Sequence, residues 1–201
     1  MRSRYPKADV LAQRGHWDDA TREVVLDRVH NVPRFAFFKP HEQATLIALS
    51  DRVLPQAQRE PDRRVPIAPR IDQSCGTGKL EGFRFDNMPP LADAWRRGLQ
   101  GLDQTAEALH GADFCDLDGA RQDEVLQSIR AGSPPGEVWQ HLPAQRWWIY
   151  IALRQIAGVY YAHPYAWDEI GFGGPAYPRG YFALNHGAPE PWEPREAGVE
   201  Q

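Results

Sequence analysis

The sequence predicts an all-α fold: a compact bundle of about five to six helices with long Pro/Gly-rich irregular connections and a C-terminal tail. Two observations carry that expectation. Apolar residues recur at helical spacing over 43–54, 91–109, 117–130 and 147–162, and no run of alternating β-branched residues occurs. A third agrees with them: 18 prolines and 17 glycines are too many for helices alone and point to long ordered connections. The chain of 201 residues reads as a single domain over 1–201. Within it, 1–35 forms an N-terminal arm and helix, and 163–201 an aromatic Gly/Pro-rich segment and tail.

Taken in order, Trp17 to Val29 sets Val24, Val25, Leu26 and Val29 among charges, with Asp18 or Asp19 placed to cap the start and Pro33 ending the segment. Pro40 suits the first position of the next helix. Leu46, Leu49 and Val53 follow as a stripe that Ile47 and Leu54 widen before Pro55. Residues 55–70, with four prolines, read as an extended crossing, and 71–90 as irregular. From Pro90 to His110, Leu91, Ala94, Trp95, Leu99, Leu102, Ala106 and Leu109 share one face, and Gly111 is a natural terminator. Asp118 caps Leu117 to Arg130, whose inward residues are Val125, Leu126 and Ile129. A short helix is expected within Ser133 to Leu142. Trp147 to Ala162 is apolar nearly all round apart from Arg154 and Gln155, too short to span a bilayer, and therefore the central buried helix. Leu99, Leu102, Leu126, Ile149 and Leu153 are expected among the most buried residues.

Directly after it comes the most unusual stretch, Tyr160 to Tyr181, with seven aromatics, four glycines and three prolines. Glycine permits close approach and φ > 0, and proline freezes φ, so together they hold rings at fixed positions without periodic structure. Such a segment either caps the chain's own core or displays anchors to another chain.

Composition excludes several classes. A net charge of −4 with scattered lysines and arginines offers no nucleic-acid surface. Cys75 and Cys115 are the only cysteines, too few for a disulfide framework or a Cys-rich zinc site. Cys115 reads as a buried thiol, with a bridge to Cys75 or to a partner chain as the alternative. Gly76-Thr77-Gly78-Lys79 superficially suggests a phosphate loop, but position 73 is glutamine and Leu80 follows the lysine, so it is a turn. None of the seven histidines has metal-ligand spacing. His163, ending the central helix, is placed to hydrogen-bond open carbonyls there, with catalysis as the alternative. Asp168 and Glu169 are adjacent and so do not share a helix face. They charge a short helix or pair with Arg179, rather than act as paired catalytic carboxylates. No self-sufficient active site is apparent.

Phe37-Phe38-Lys39-Pro40, Asp51-Arg52-Val53-Leu54-Pro55, Gly98-Leu99…Leu102-Asp103…Ala106 and the 160–181 segment together resemble the gluconate 2-dehydrogenase subunit 3 family, over about residues 5 to 193. The most specific part is the motif of His163, Pro164, Glu169, Gly171, Gly173, Gly174 and Pro175 with Gly180 and Tyr181. The resemblance implies a small, mostly helical accessory subunit. Its partner would be a large FAD-dependent flavoprotein of the glucose–methanol–choline type, often joined by a c-type cytochrome. The chain alone would bind no cofactor, and FAD and the catalytic histidine would belong to the partner. Two departures stand out. Arg2-Ser3-Arg4 is no twin-arginine motif and no apolar stretch follows, so the chain is expected in the cytoplasm, or in the periplasm if a partner carries the signal. Lys39 stands where the family commonly has a capping Ser or Thr, at a cost of ~1 kcal/mol.

The expected interface residues are Phe83, Phe85, Trp167, Phe172, Tyr177 and Trp192, from the two stretches not committed to helix packing. The function expected is a non-catalytic subunit that binds, stabilises or matures an FAD-dependent sugar or polyol dehydrogenase. The alternative is an independent small enzyme or sugar-binding protein that uses the aromatic segment as a pocket.

Overall fold

Helical periodicity dominates the computed structural model, which describes residues 4–78, 85–182 and 189–198 and has no strand among them. The helices are α1 Asp19–His30, α2 Pro40–Val53, α3 Ile67–Thr77, α4 Leu91–His110, α5 Gly119–Ala131, α6 Ala144–Arg146, α7 Arg154–Tyr161 and α8 Pro164–Ile170. A π-helical stretch, Trp147–Leu153, joins α6 to α7. Short 3-10 turns lie at Val10–His16, Pro61–Arg63, Phe114–Asp116 and Val138–Gln140. The chain forms two compact units, one of residues 33–60 and 66–159, the other of 1–32, 61–65 and 160–201.

The first unit is organised on α4. Its apolar stripe buries Ala94, Trp95, Leu99, Leu102 and Ala106, while Leu109 in the last turn is exposed. Gly111 ends the helix at φ 71°, the left-handed region that glycine enters without strain. Two glycines inside α4 are there for space. A Cβ at Gly98 would stand 1.9 Å from Cε2 of Trp147, and one at Gly101 would stand 2.5 Å from Cζ2 of Trp139. The indoles of Trp147 and Trp95 meet edge to face, with centroids 5.9 Å apart. Trp139 lies 5.6 Å from Trp147. Trp139 Nε1 donates to Thr105 Oγ1 at 2.9 Å, and Trp95 Nε1 donates to Gln155 Oε1 at 2.6 Å. That bond explains why a glutamine interrupts the apolar segment.

The segment expected to be buried all round is instead two-sided. Trp147, Trp148 and Ala152 face inward, but Ile149 is exposed and Leu153 only half-buried. Ile149 and Leu153 stand two and six positions after Trp147, which puts them across the helix from the side that Trp147, Trp148 and Ala152 turn to the core.

Helix α3 corrects the reading of 55–70 and 71–90 as non-helical. Ile67, Ile71 and Cys75 form its buried line, and Pro69 sits in the first turn, where its missing N–H has no intrahelical acceptor anyway. Gly76 and Thr77 close the helix and Gly78 caps it at φ 63°. Asp72, fully buried on α3, accepts the N–H groups of Ala36 at 2.8 Å, Phe37 at 3.1 Å and Phe38 at 2.8 Å. Charge-assisted bonds of this kind satisfy a carboxylate away from water and fix the chain just before α2. At the start of α2, Lys39 offers no acceptor, but its own N–H donates to Glu42 Oε2 at 2.7 Å, half of a capping box. Arg52 of α2 forms a two-pronged ion pair with Asp123 of α5. Cys75 and Cys115 form no disulfide, the first being buried and the second half-buried.

In the second unit, Asp18 caps α1 by accepting the N–H of Thr21 at 3.0 Å. Val10, Trp17, Val25 and Trp167 form its core, with Leu11 against it.

Replacing Gly98 with alanine should lower stability by about 1–3 kcal/mol, the usual cost of overpacking. Gly158→Ala in α7, where a new Cβ meets nothing within 4 Å, should raise it by roughly 0.5–1 kcal/mol. Urea unfolding monitored by circular dichroism checks both. Equal midpoints for the two variants would contradict the packing described.

Candidate partner interface

Residues 160–182 are held by three kinds of anchor. The first is His163, buried at the start of α8. Its Nδ1 accepts the N–H of Tyr165 at 3.2 Å, so Nε2 carries the proton and donates to the carbonyl of Arg28 at 2.8 Å. In return, Arg28 Nη1 donates to the carbonyl of Ala162 at 2.7 Å. The imidazole thus satisfies an open carbonyl, as expected, but that of α1 rather than of its own helix. Pro164 takes the first position of α8.

The second kind is acidic. Asp168 Oδ1 accepts the N–H of Val10 at 2.8 Å, and Glu169 Oε2 accepts the Tyr160 hydroxyl at 2.6 Å. Arg179, expected to pair with one of them, lies over the ring of Trp192 at 4.0 Å and donates to Gln13 Oε1 at 2.9 Å. The third kind is glycine. Gly171 ends α8 at φ 71° with no room for a Cβ against Tyr5, and Gly174 at φ 86° would place one 2.7 Å from Val10 Cγ2.

This scaffold sorts the aromatics into two sets. Trp167, expected at an interface, is 5 % exposed and donates its indole N–H to the carbonyl of Tyr161 at 2.7 Å; it is core. Its place at the fourth position of α8 points it into the cluster around Val10 and Trp17. Tyr177 at 66 %, Tyr181 at 57 % and Phe182 at 74 % face solvent, with Ile170 and Phe172 also exposed. Trp192 is half-buried beneath Arg179 and lies 5.3 Å from Tyr181. Phe182 donates its backbone N–H to the buried carboxylate of Glu190, which fixes the chain beneath the ring.

Phe85 belongs to the other unit, against Tyr150 at 4.8 Å and beneath Arg146 at 4.7 Å. Phe83 lies outside the described residues. Phe182 was not among the residues expected from sequence. Its signal was available: it extends the aromatic run by one residue past Tyr181.

A model of the gluconate 2-dehydrogenase subunit 3 family matches residues 40–174, about two thirds of the chain. No curated protein and no solved structure matches. The match includes His163, Pro164, Glu169, Gly171, Gly173 and Gly174 and ends before Pro175, Gly180 and Tyr181.

Trp167→Ala should lower the melting temperature of the isolated chain sharply, with a loss of about 3–5 kcal/mol. Tyr177→Ala should leave it unchanged within about 0.5 kcal/mol. Differential scanning calorimetry separates the two, and equal losses would mean that Tyr177 is core.

Proposed function

The chain belongs to the gluconate 2-dehydrogenase subunit 3 family. From that premise we propose that it is the non-catalytic small subunit of a sugar or polyol dehydrogenase, binding and stabilising a large FAD-dependent catalytic subunit of the glucose–methanol–choline type. The observation that carries this reading is the exposure of Tyr177, Tyr181 and Phe182 on a segment whose backbone is held by glycines, prolines and the buried carboxylate of Glu190. Rings fixed in this way lose little conformational entropy on binding. Burying an exposed phenylalanine contributes roughly 1.5–3 kcal/mol, and tyrosine adds a polar handle that favours it at hot spots. No helix among the described residues is long and apolar enough to cross a membrane.

In this reading FAD is held by the partner, and this chain covers apolar surface on the flavoprotein that would otherwise face water. A c-type cytochrome would complete the electron path where one is present. The partner's fold, rather than its chemistry, is what this chain supports.

Tyr177→Ala combined with Phe182→Ala should abolish recovery of flavoprotein with the tagged chain while leaving the chain's own melting temperature unchanged. Flavin absorbance of the affinity-purified fraction is the readout. Undiminished absorbance from the double variant would remove these rings from the interface. A chain that turns over sugar without any flavoprotein would refute the accessory role itself.

A further inference from the structure

Three side chains converge in the α4 unit without serving its core. His41 is the second residue of α2, Asp103 lies midway along α4, and Asp113 is in the turn that follows α4. His41 Nε2 is 2.9 Å from Asp103 Oδ2 and 3.9 Å from Asp113 Oδ2, and one ligand atom from each residue falls within 4.8 Å of the others. A divalent ion with bonds near 2.1 Å sets its ligands roughly 3.4 Å apart in a tetrahedron and somewhat closer in an octahedron. The two histidine–carboxylate separations straddle that value.

The three positions differ in a useful way. Asp103 is the fixed one: its side chain is 16 % exposed, it accepts the N–H of Phe114 at 3.1 Å, and the Thr45 hydroxyl lies at 3.4 Å. Groups that orient a carboxylate in this manner are what a metal site needs around its ligands. His41 and Asp113 are exposed and border an open cleft of about 850 Å³, also lined by Arg96, Arg97, Gln100, Gln104 and Glu107, so an ion has a path in.

We propose that His41, Asp103 and Asp113 form a binding site for one divalent transition-metal ion, Zn²⁺ being the best match. An imidazole in the ligand set disfavours Mg²⁺ and Ca²⁺, which take oxygen ligands, and suits Zn²⁺. The ion joins the start of α2, the middle of α4 and the turn leading to Phe114–Asp116. Three protein ligands leave a coordination position open toward the cleft for water or for a group from another chain. The site rests on side-chain geometry alone, in a different unit from the aromatic surface, and stands or falls independently of the accessory role.

The test is titration calorimetry of the full-length, chelator-treated chain with ZnCl₂, with melting curves recorded alongside. Saturable binding at one ion per chain is expected, together with a melting temperature that rises with free Zn²⁺ as linkage requires. His41→Ala and Asp113→Asn should each weaken binding by more than the roughly 10–100-fold that even groups behind the ligands contribute. His16→Ala, remote in sequence and in the other unit, should leave it unchanged. Asp113→Asn keeps the His41–Asp103 contact and the fold, so it remains informative if His41→Ala is unstable. Absence of saturable binding, or binding that survives Asp113→Asn, would show that these residues form an ion pair only.

Discussion

The approach of the Trp147 indole to the backbone of α4 is the constraint on which the larger unit depends. Contact at that distance is possible only where Cβ is missing, so Gly98 is required, and a glycine inside a helix costs roughly 0.5–1 kcal/mol relative to alanine. The return is a fully buried indole that locates Trp95 on one side and Trp139 on the other. Trp95 then calls for Gln155 as acceptor, and Trp139 calls for Thr105. The π turn lies in the same arrangement: it carries Trp147, and Trp148 and Ala152 are buried with it.

Much of this was legible in the sequence because amphipathic periodicity reports burial directly. The bounds of α4 and α5, the caps at Asp18 and Asp118 and the terminator at Gly111 all follow from local chemistry. What was not legible depended on non-local facts. Helix α3 was hidden because a proline at its third residue and a Gly-Thr-Gly end outweigh, in local terms, an apolar line of only Ile67, Ile71 and Cys75. Its buried Asp72 reads as a surface residue until its three backbone partners, more than thirty positions earlier, are brought beside it. Ile149 is exposed where burial was expected because a segment apolar nearly all round does not show which of its sides turns to the core.

The aromatic segment shows the same division. That 160–182 holds rings rigidly follows from its glycines and prolines. Which rings turn inward does not, since that is decided by where Val10, Trp17 and Val25 stand in the folded unit. Trp167 and Tyr177 are indistinguishable by composition. One lies on a helix face directed at the core and the other on an irregular stretch beyond it. The His41 cluster was equally beyond the reach of motif reading, because its members come from three places separated by 62 and then 10 residues, with no ligand spacing in common.

The exchange between Arg28 and His163 has a further consequence. Each residue covers a carbonyl that the other's segment leaves open: the guanidinium covers Ala162, and the imidazole covers Arg28 itself. Helix termini ordinarily fray one at a time, because their last carbonyls can turn to water without disturbing anything else. Here the end of α1 cannot loosen without stripping the donor from Ala162. The imidazole cannot leave without also freeing the amide of Tyr165 at the start of α8. Three chain ends are thereby joined into one opening event, and the stretch that carries the aromatic surface shares the stability of a helix well before it in the chain.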